Sequence, residues 1–126
     1  MQKLIIKKTF ESPAVNFDPD NGLLEIEGKL IPENAKRFYK PILDWLDEYT
    51  QKPQSSTQVK LHFYYFNTIS SKFILKILTK LDGIYKNGFA VNIEWRYFEN
   101  DEDGLEEGEE FSELTSVPFE FVMIRE

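Results

Sequence analysis

The hydroxyl side chains best placed to do chemistry in this chain cluster in one short turn. Thr68, Ser70 and Ser71 follow Asn67, directly after the apolar run 59–66, and an amphipathic run begins near Ser71. A turn that leads from the carboxyl end of a strand into the amino end of a helix receives anions well, because that end carries unpaired N–H groups and the positive pole of the helix dipole. Thr68 is therefore placed to carry a phosphate group.

A purely structural interpretation of the same turn stays open at this point. Asn and Ser are favoured N-cap residues and Thr suits the end of a strand, so capping alone accounts for one or two of these residues. The four polar residues cluster at the carboxyl end of a predicted strand, where open α/β sheets bind their ligands, and this position favours a functional role. A third alternative is a small enzyme with Thr68 or Ser70 as its nucleophile.

The segment Glu99–Glu110 is strongly acidic and invites comparison with a calcium-binding loop. With Gly104 as the sixth position, Asp101 and Asp103 fall at the third and fifth positions and a glutamate falls at the twelfth. The match then fails, because the first position is Glu instead of Asp and Glu106 stands where an apolar residue is normal. We predict an acidic surface loop, and a ligand- or metal-binding module built on it is an alternative function.

No residue pattern of an enzyme is present in the sequence. His62 is the only histidine and lies mid-strand between Leu61 and Phe63, which favours a hydrogen-bonded structural role. The chain contains no cysteine, which excludes disulfides and thiol chemistry. It also lacks a Walker loop, a dinucleotide fingerprint and a nucleophile elbow. We predict a protein that is not an enzyme and that uses no metal or cofactor.

The composition is that of one folded domain spanning residues 1–126. Apolar residues make up 41% and aromatic residues 15% of the chain. A formal net charge of −7 argues against binding to nucleic acid or to an anionic membrane. No apolar run approaches the length of a transmembrane helix, and the start of the chain lacks the features of a signal peptide, so we expect a soluble cytoplasmic protein.

Periodicity predicts an α/β fold with a mixed sheet and helices packed against it. A helix is predicted from Pro32 to about Tyr49, with a kink or a second helix start at Pro41. A second helix is predicted over 71–87, with Gly88 at its carboxyl cap. The extended patterns alternate with these helices and imply two strand–helix–strand crossovers. Strands are predicted at 4–9, 13–17, 23–30, 59–66, 89–95 and 119–124.

Several of these features together resemble the SiaC-type family of bacterial regulatory phosphoproteins, whose fold is similar to that of STAS-type anti-sigma-factor antagonists. The resemblance covers nearly the whole chain. It departs at Ile69, where the family more often has Ser. The matching residues are Gly28, Pro32-Glu33-Asn34-Ala35, Phe38-Tyr39, Trp45-Leu46, Tyr65-Phe66-Asn67-Thr68, Ser70-Ser71-Lys72, Trp95, the acidic run Asp101–Glu110 and Pro118-Phe119.

The resemblance implies a single STAS-like domain acting in a partner-switching circuit. In such a circuit an anti-sigma-like kinase phosphorylates the threonine of this turn, here Thr68, and a PPM-type phosphatase removes the phosphate. The unphosphorylated form then binds and activates an effector such as a diguanylate cyclase. The partners are expected to recognise the turn and the helix that follows it, through Asn67, Ile69, Ser70, Ser71, Lys72, Phe73 and Lys76.

Overall fold

Six strands and three helices form the part of the chain that the computed structural model describes, residues 1–125. The strands are β1 (Leu4–Ile6), β2 (Ala14–Asp18), β3 (Leu23–Leu30), β4 (Ser56–Phe66), β5 (Ala90–Phe98) and β6 (Phe119–Ile124), and the helices are α1 (Ala35–Tyr49), α2 (Thr68–Lys86) and α3 (Glu102–Glu113).

The strands lie in one sheet in their order along the chain. β1, β2 and β3 pair antiparallel, whereas β3 to β6 pair parallel and are joined by crossovers through α1, α2 and α3. Right-handed crossovers that advance in one direction across a sheet place their helices on the same face. The prediction of an α/β fold with a mixed sheet is therefore confirmed, with three crossovers instead of two.

The burial of β4 follows from this one-sided arrangement. Val59, Leu61 and Phe63 point under the helices and are buried, while Lys60 and Tyr64 on the opposite face are only half-buried. The core combines this sheet face with the apolar stripes of the helices. Trp45 and Trp95 both lie in it.

The predicted start of the first helix is wrong. Pro32 and Glu33 precede α1, and Asn34 is its N-cap, since the Asn34 side chain accepts a hydrogen bond from the backbone N–H of Arg37. Asparagine satisfies a first-turn N–H directly, which proline at the first helical position cannot do. The alternative of a second helix at Pro41 is also wrong, because α1 continues through that residue to Tyr49.

The second helix begins three residues earlier than predicted. Thr68 is the first residue of α2, so Thr68 and Ser71 belong to the first helical turn and not to the preceding loop. Gly88 follows the carboxyl end of this helix with a φ of 97°, as its role in the cap requires. Among the strands, β3 and β6 have the predicted bounds, whereas β1 is shorter and β4 starts at Ser56.

The acidic segment is a helix, which contradicts the predicted surface loop. The side chain of Asp101 caps α3 by accepting a hydrogen bond from the backbone N–H of Gly104. Trp95 donates its indole N–H to the carbonyl of Gly104 at 2.9 Å, and Phe111 packs against the Trp95 ring. The helical spacing of Gly104, Gly108 and Phe111, the buried residues of α3, was the missed signal, hidden by the density of charge.

Candidate functional site

Asn67 is the N-cap of α2. Asn67 adopts an extended conformation, and its side-chain oxygen accepts a hydrogen bond from the backbone N–H of Ser70 at 2.9 Å. The first N–H groups of a helix have no partner within the helix, so those of Thr68 and Ile69 face outward. Thr68 itself is exposed. Thr68 therefore lies on the surface at the positive end of a helix dipole.

Ser70 points into the protein, which corrects its predicted role as a partner contact. Its side chain is 1% exposed, and Oγ donates a hydrogen bond to the carbonyl of Leu30 at 2.7 Å. A hydroxyl has one proton, so the hydrogen bond between Tyr39 and Ser70 is donated by the Tyr39 hydroxyl. Ser70 therefore anchors the start of α2, and a nucleophilic role for it is ruled out by this burial.

Phe73 is also buried, at 3% exposure, and its prediction as a direct docking residue needs the same correction. Its ring stacks on that of Tyr39 with centroids 3.8 Å apart and planes 6° from parallel. Burial raises the pKa of the Tyr39 hydroxyl, against the opposing effect of its bond to Ser70. The neutral phenol is thus favoured, as its donor role requires.

Other predicted site residues near the start of α2 are exposed or half-buried. Ile69 is 64% exposed, an unusual position for a large aliphatic side chain. Lys72 and Lys76 are exposed on the same helix. Ser71 is half-buried, and its hydroxyl donates to the carbonyl of Thr68 at 2.6 Å. The start of α2 thus presents Thr68, Ile69, Lys72 and Lys76 outward.

A cleft of about 480 Å³ separates the amino end of α2 from α3. Thr68 and Ser71 line one side, and Glu107 and Glu110 line the other. Burial, with the repulsion of Asp101 and other acidic neighbours, raises the pKa of the Glu107 carboxyl. The cleft is therefore acidic on the side opposite Thr68. The sequence did not predict that Thr68 and Glu107 line the same cleft, because about 40 residues separate them in the chain.

His62 is buried, but the prediction that it is hydrogen-bonded fails for its Nε2 atom. This atom has no hydrogen-bond partner within residues 1–125. The ring instead packs edge-on against Tyr64 and Phe98, at centroid distances of 4.8 and 4.5 Å. Burial lowers the pKa of His62, with smaller opposing and reinforcing effects from nearby charges. It lies on β4, away from the Asn67–Lys72 turn.

The described residues contain no group of three metal-ligating side chains, and the calcium-loop alignment fails because Asp101 is engaged as a helix cap. Within the same range, 1–125, no helix has the length and apolar character needed to cross a bilayer.

A family model for SiaC family regulatory phosphoproteins matches residues 6–124. The chain belongs to the SiaC family. An uncharacterised protein of Pseudomonas aeruginosa strain UCBPP-PA14 is 32% identical over 119 residues, which are 94% of each chain. The family resemblance stated from the sequence is thereby confirmed, as is the description of the chain as a regulatory protein and not an enzyme.

Solved structures of SiaC from Pseudomonas aeruginosa have the same fold. Apo-SiaC is 30% identical, with a TM-score of 0.86 over 97% of this chain and 99% of that one. A chain in the crystal structure of the diguanylate cyclase SiaD in complex with its activator SiaC is 30% identical, with a TM-score of 0.90 over 96% of this chain and 99% of that one. These SiaC structures therefore share the mixed-sheet α/β fold of this chain.

Proposed function

We propose that this chain is the phosphorylatable regulator of a cytoplasmic partner-switching circuit, with Thr68 as the acceptor. The observation that carries the proposal is the exposed position of Thr68 as the first residue of α2. Ser70 is buried and Ser71 donates its proton to a backbone carbonyl, so Thr68 is the most accessible hydroxyl of the turn. The family's description as regulatory phosphoproteins supports the same function.

In this circuit a kinase of the anti-sigma type transfers the γ-phosphoryl group of ATP to Oγ1 of Thr68, releasing ADP and a proton. A PPM-type phosphatase then hydrolyses the phosphoester and restores the hydroxyl. The N–H groups of the first turn of α2 and the helix dipole tolerate the added charge. The fold should therefore persist through both steps, so that the switch acts on docking and not on folding.

The unphosphorylated form is proposed to bind and activate an effector of the diguanylate cyclase class. The structure of a SiaC relative with a cyclase supports this choice of effector. A phosphate on Thr68 adds about −1.5 to −2 charges. A partner surface packed over the turn would have to desolvate that dianion, which is costly without a matching cation. Lys72, one helical turn further on, offsets only part of the charge.

The proposal is tested by incubating the protein with ATP and a candidate anti-sigma-like kinase from its source organism. Intact mass should rise by one phosphoryl group, and fragmentation should place that group on Thr68. The Thr68→Ala variant should gain no mass yet retain cyclase binding, whereas Ser71→Ala, the matched control in the same turn, should be phosphorylated normally. Phosphate on another residue, or tight cyclase binding by Thr68→Asp, would refute the proposal.

A further inference from the structure

An apolar groove of about 540 Å³ runs between α1 and α2, on the side of Thr68 away from α3. Tyr39 and Phe73 form its floor through their stacked rings, and Leu43 and Ile69 line its walls. Leu43 is only half-buried, and Ile69 is largely exposed. Contiguous exposed apolar surface of this kind is typical of an interaction site. We call this surface the α1–α2 groove.

The rim of the α1–α2 groove is basic, although the protein as a whole is acidic. Lys36 and Lys40 stand on the α1 side, and Lys72 and Lys76 stand on the α2 side. Lys40 pairs with Asp44, the one acidic residue of the lining. Within residues 1–125 the other three lysines form no salt bridge. In a chain of net charge −7, this is a local positive surface that calls for a negatively charged ligand.

We propose that the α1–α2 groove binds one amphipathic helix of a partner protein, with apolar anchors on one face and acidic residues on both flanks. An apolar groove between two helices accepts a third helix through anchors spaced three and four residues apart. Carboxylates beside those anchors would meet the lysines of both rims. This inference rests on the proposed function, because it assigns the chemistry of the effector segment that docks beside Thr68.

Other anionic ligands fit the groove less well. A nucleic acid would meet the lysines but would leave the apolar floor of Tyr39, Leu43 and Phe73 unused, and the overall charge of −7 would repel it. An anionic membrane surface meets the same repulsion. The acidic helix α3 of a second copy has the right charge. Its largely exposed apolar residue, Leu114, is the carboxyl cap of the helix, so it could supply an anchor only at that end. A helix with several apolar anchors and acidic flanks would contact both the apolar floor and the basic rim of the α1–α2 groove.

Two pairs of matched variants test the inference with a full-length candidate diguanylate cyclase from the source organism. Lys36→Glu/Lys76→Glu reverses charge on both rims, and Lys7→Glu/Lys52→Glu makes the same charge change at exposed sites outside the groove. We expect the first to weaken binding by about tenfold or more and the second to change it less than about twofold.

The apolar floor is tested in the same way. Leu43→Ser should weaken binding by about tenfold, whereas Leu75→Ser, at a partly exposed leucine of α2 outside the groove, should leave it unchanged. Raising salt from about 50 to about 500 mM should weaken the parent complex and have less effect on Lys36→Glu/Lys76→Glu. Normal cyclase binding by the groove variants would overturn this inference and leave the proposed function intact.

If the cyclase does not bind the parent protein, the proposed function fails. A pair of peptides then tests whether the α1–α2 groove binds an acid-flanked helix. One synthetic helix of about 18 residues carries leucine anchors with glutamate flanks, and its twin carries lysine in place of glutamate. Binding of the glutamate peptide alone, with amide NMR shifts confined to groove residues, supports the inference. Equal binding of both peptides, binding of neither, or self-association of the parent that Lys36→Glu/Lys76→Glu abolishes would overturn it.

Discussion

The hydroxyl of Tyr39 on α1 donates a hydrogen bond to Oγ of Ser70 on α2. Ser70 in turn donates its proton to the carbonyl of Leu30 at the end of β3. This buried chain ties two helices and a strand together directly below the exposed Thr68. The position of the proposed phosphate acceptor is therefore set by residues that do not themselves contact a partner.

Removing the Ser70 hydroxyl should destabilise the protein. Ser70→Ala leaves the carbonyl of Leu30 and the hydroxyl of Tyr39 buried without this partner, which costs about 1–3 kcal/mol. Tyr39→Phe removes only the outer donor and should cost about 0.5–1.5 kcal/mol. Urea denaturation measures both changes in the free energy of unfolding.

The control for this pair is Ser71→Ala, since that hydroxyl is half-buried and bonds within its own helix. It should change the free energy of unfolding by less than about 0.5 kcal/mol. Equal losses for Ser70→Ala and Ser71→Ala would contradict the anchoring role of the buried chain.

Two glycine substitutions in helices should act in opposite directions. A Cβ at Gly108 in α3 would lie 2.5 Å from Cδ1 of Trp95, so Gly108→Ala should push α3 away from the sheet at a cost of about 1–3 kcal/mol. A Cβ at Gly83 in α2 meets no atom within 4 Å, so Gly83→Ala should stabilise by about 0.5–1 kcal/mol. Thermal unfolding followed by far-UV circular dichroism measures both. A neutral Gly108→Ala would mean that α3 does not pack closely on Trp95.

Stability should fall as the pH drops below the usual histidine range. Burial lowers the pKa of His62 from 6.5 in the folded protein, so the unfolded chain binds a proton first. The stability that the neutral ring contributes is present above pH 6.5 and is lost as the pH falls toward the lowered pKa. His62→Phe should remove this slope while keeping the packing against Tyr64 and Phe98.

The measurement is the free energy of unfolding of parent and His62→Phe between about pH 5 and pH 8. Subtracting one curve from the other cancels the carboxyl groups, which titrate in both proteins. A pH-independent difference would show that the folded protein binds the His62 proton as readily as the unfolded chain does.

Phosphorylated Thr68 should be repelled by α3, because Glu110 lines the same cleft. Glu110→Gln should therefore reduce any loss of melting temperature that phosphorylation causes, by an amount corresponding to less than about 1 kcal/mol. The effect should shrink as salt is raised. Glu113→Gln, also exposed on α3 but outside the cleft lining, is the matched control and should change nothing. An identical response of both variants would show that the cleft does not transmit the charge of the phosphate.

Local patterns sufficed for the parts of the fold whose signals lie close together in sequence. Alternating residues of β3 and the apolar run of β4 predicted their strands, and the turn at Asn67 predicted a helix start within three residues. Prediction failed where a competing signal was stronger. The charge density of Glu99–Glu110 concealed the helical spacing of α3. Pro32 indicated a helix start that Asn34, two residues later, provides as the N-cap.

By itself the sequence determined the family of the protein, its strand–helix alternation and the hydroxyl-rich turn that contains Thr68, because these depend on neighbouring residues and on a long family resemblance. Only the tertiary structure decided which residues of the turn face solvent. Ser70 and Ser71 are alike and adjacent in sequence, yet Ser70 is buried because Tyr39 and Leu30 lie against it. Long-range packing likewise placed Glu110 opposite Thr68 and opened the groove between α1 and α2.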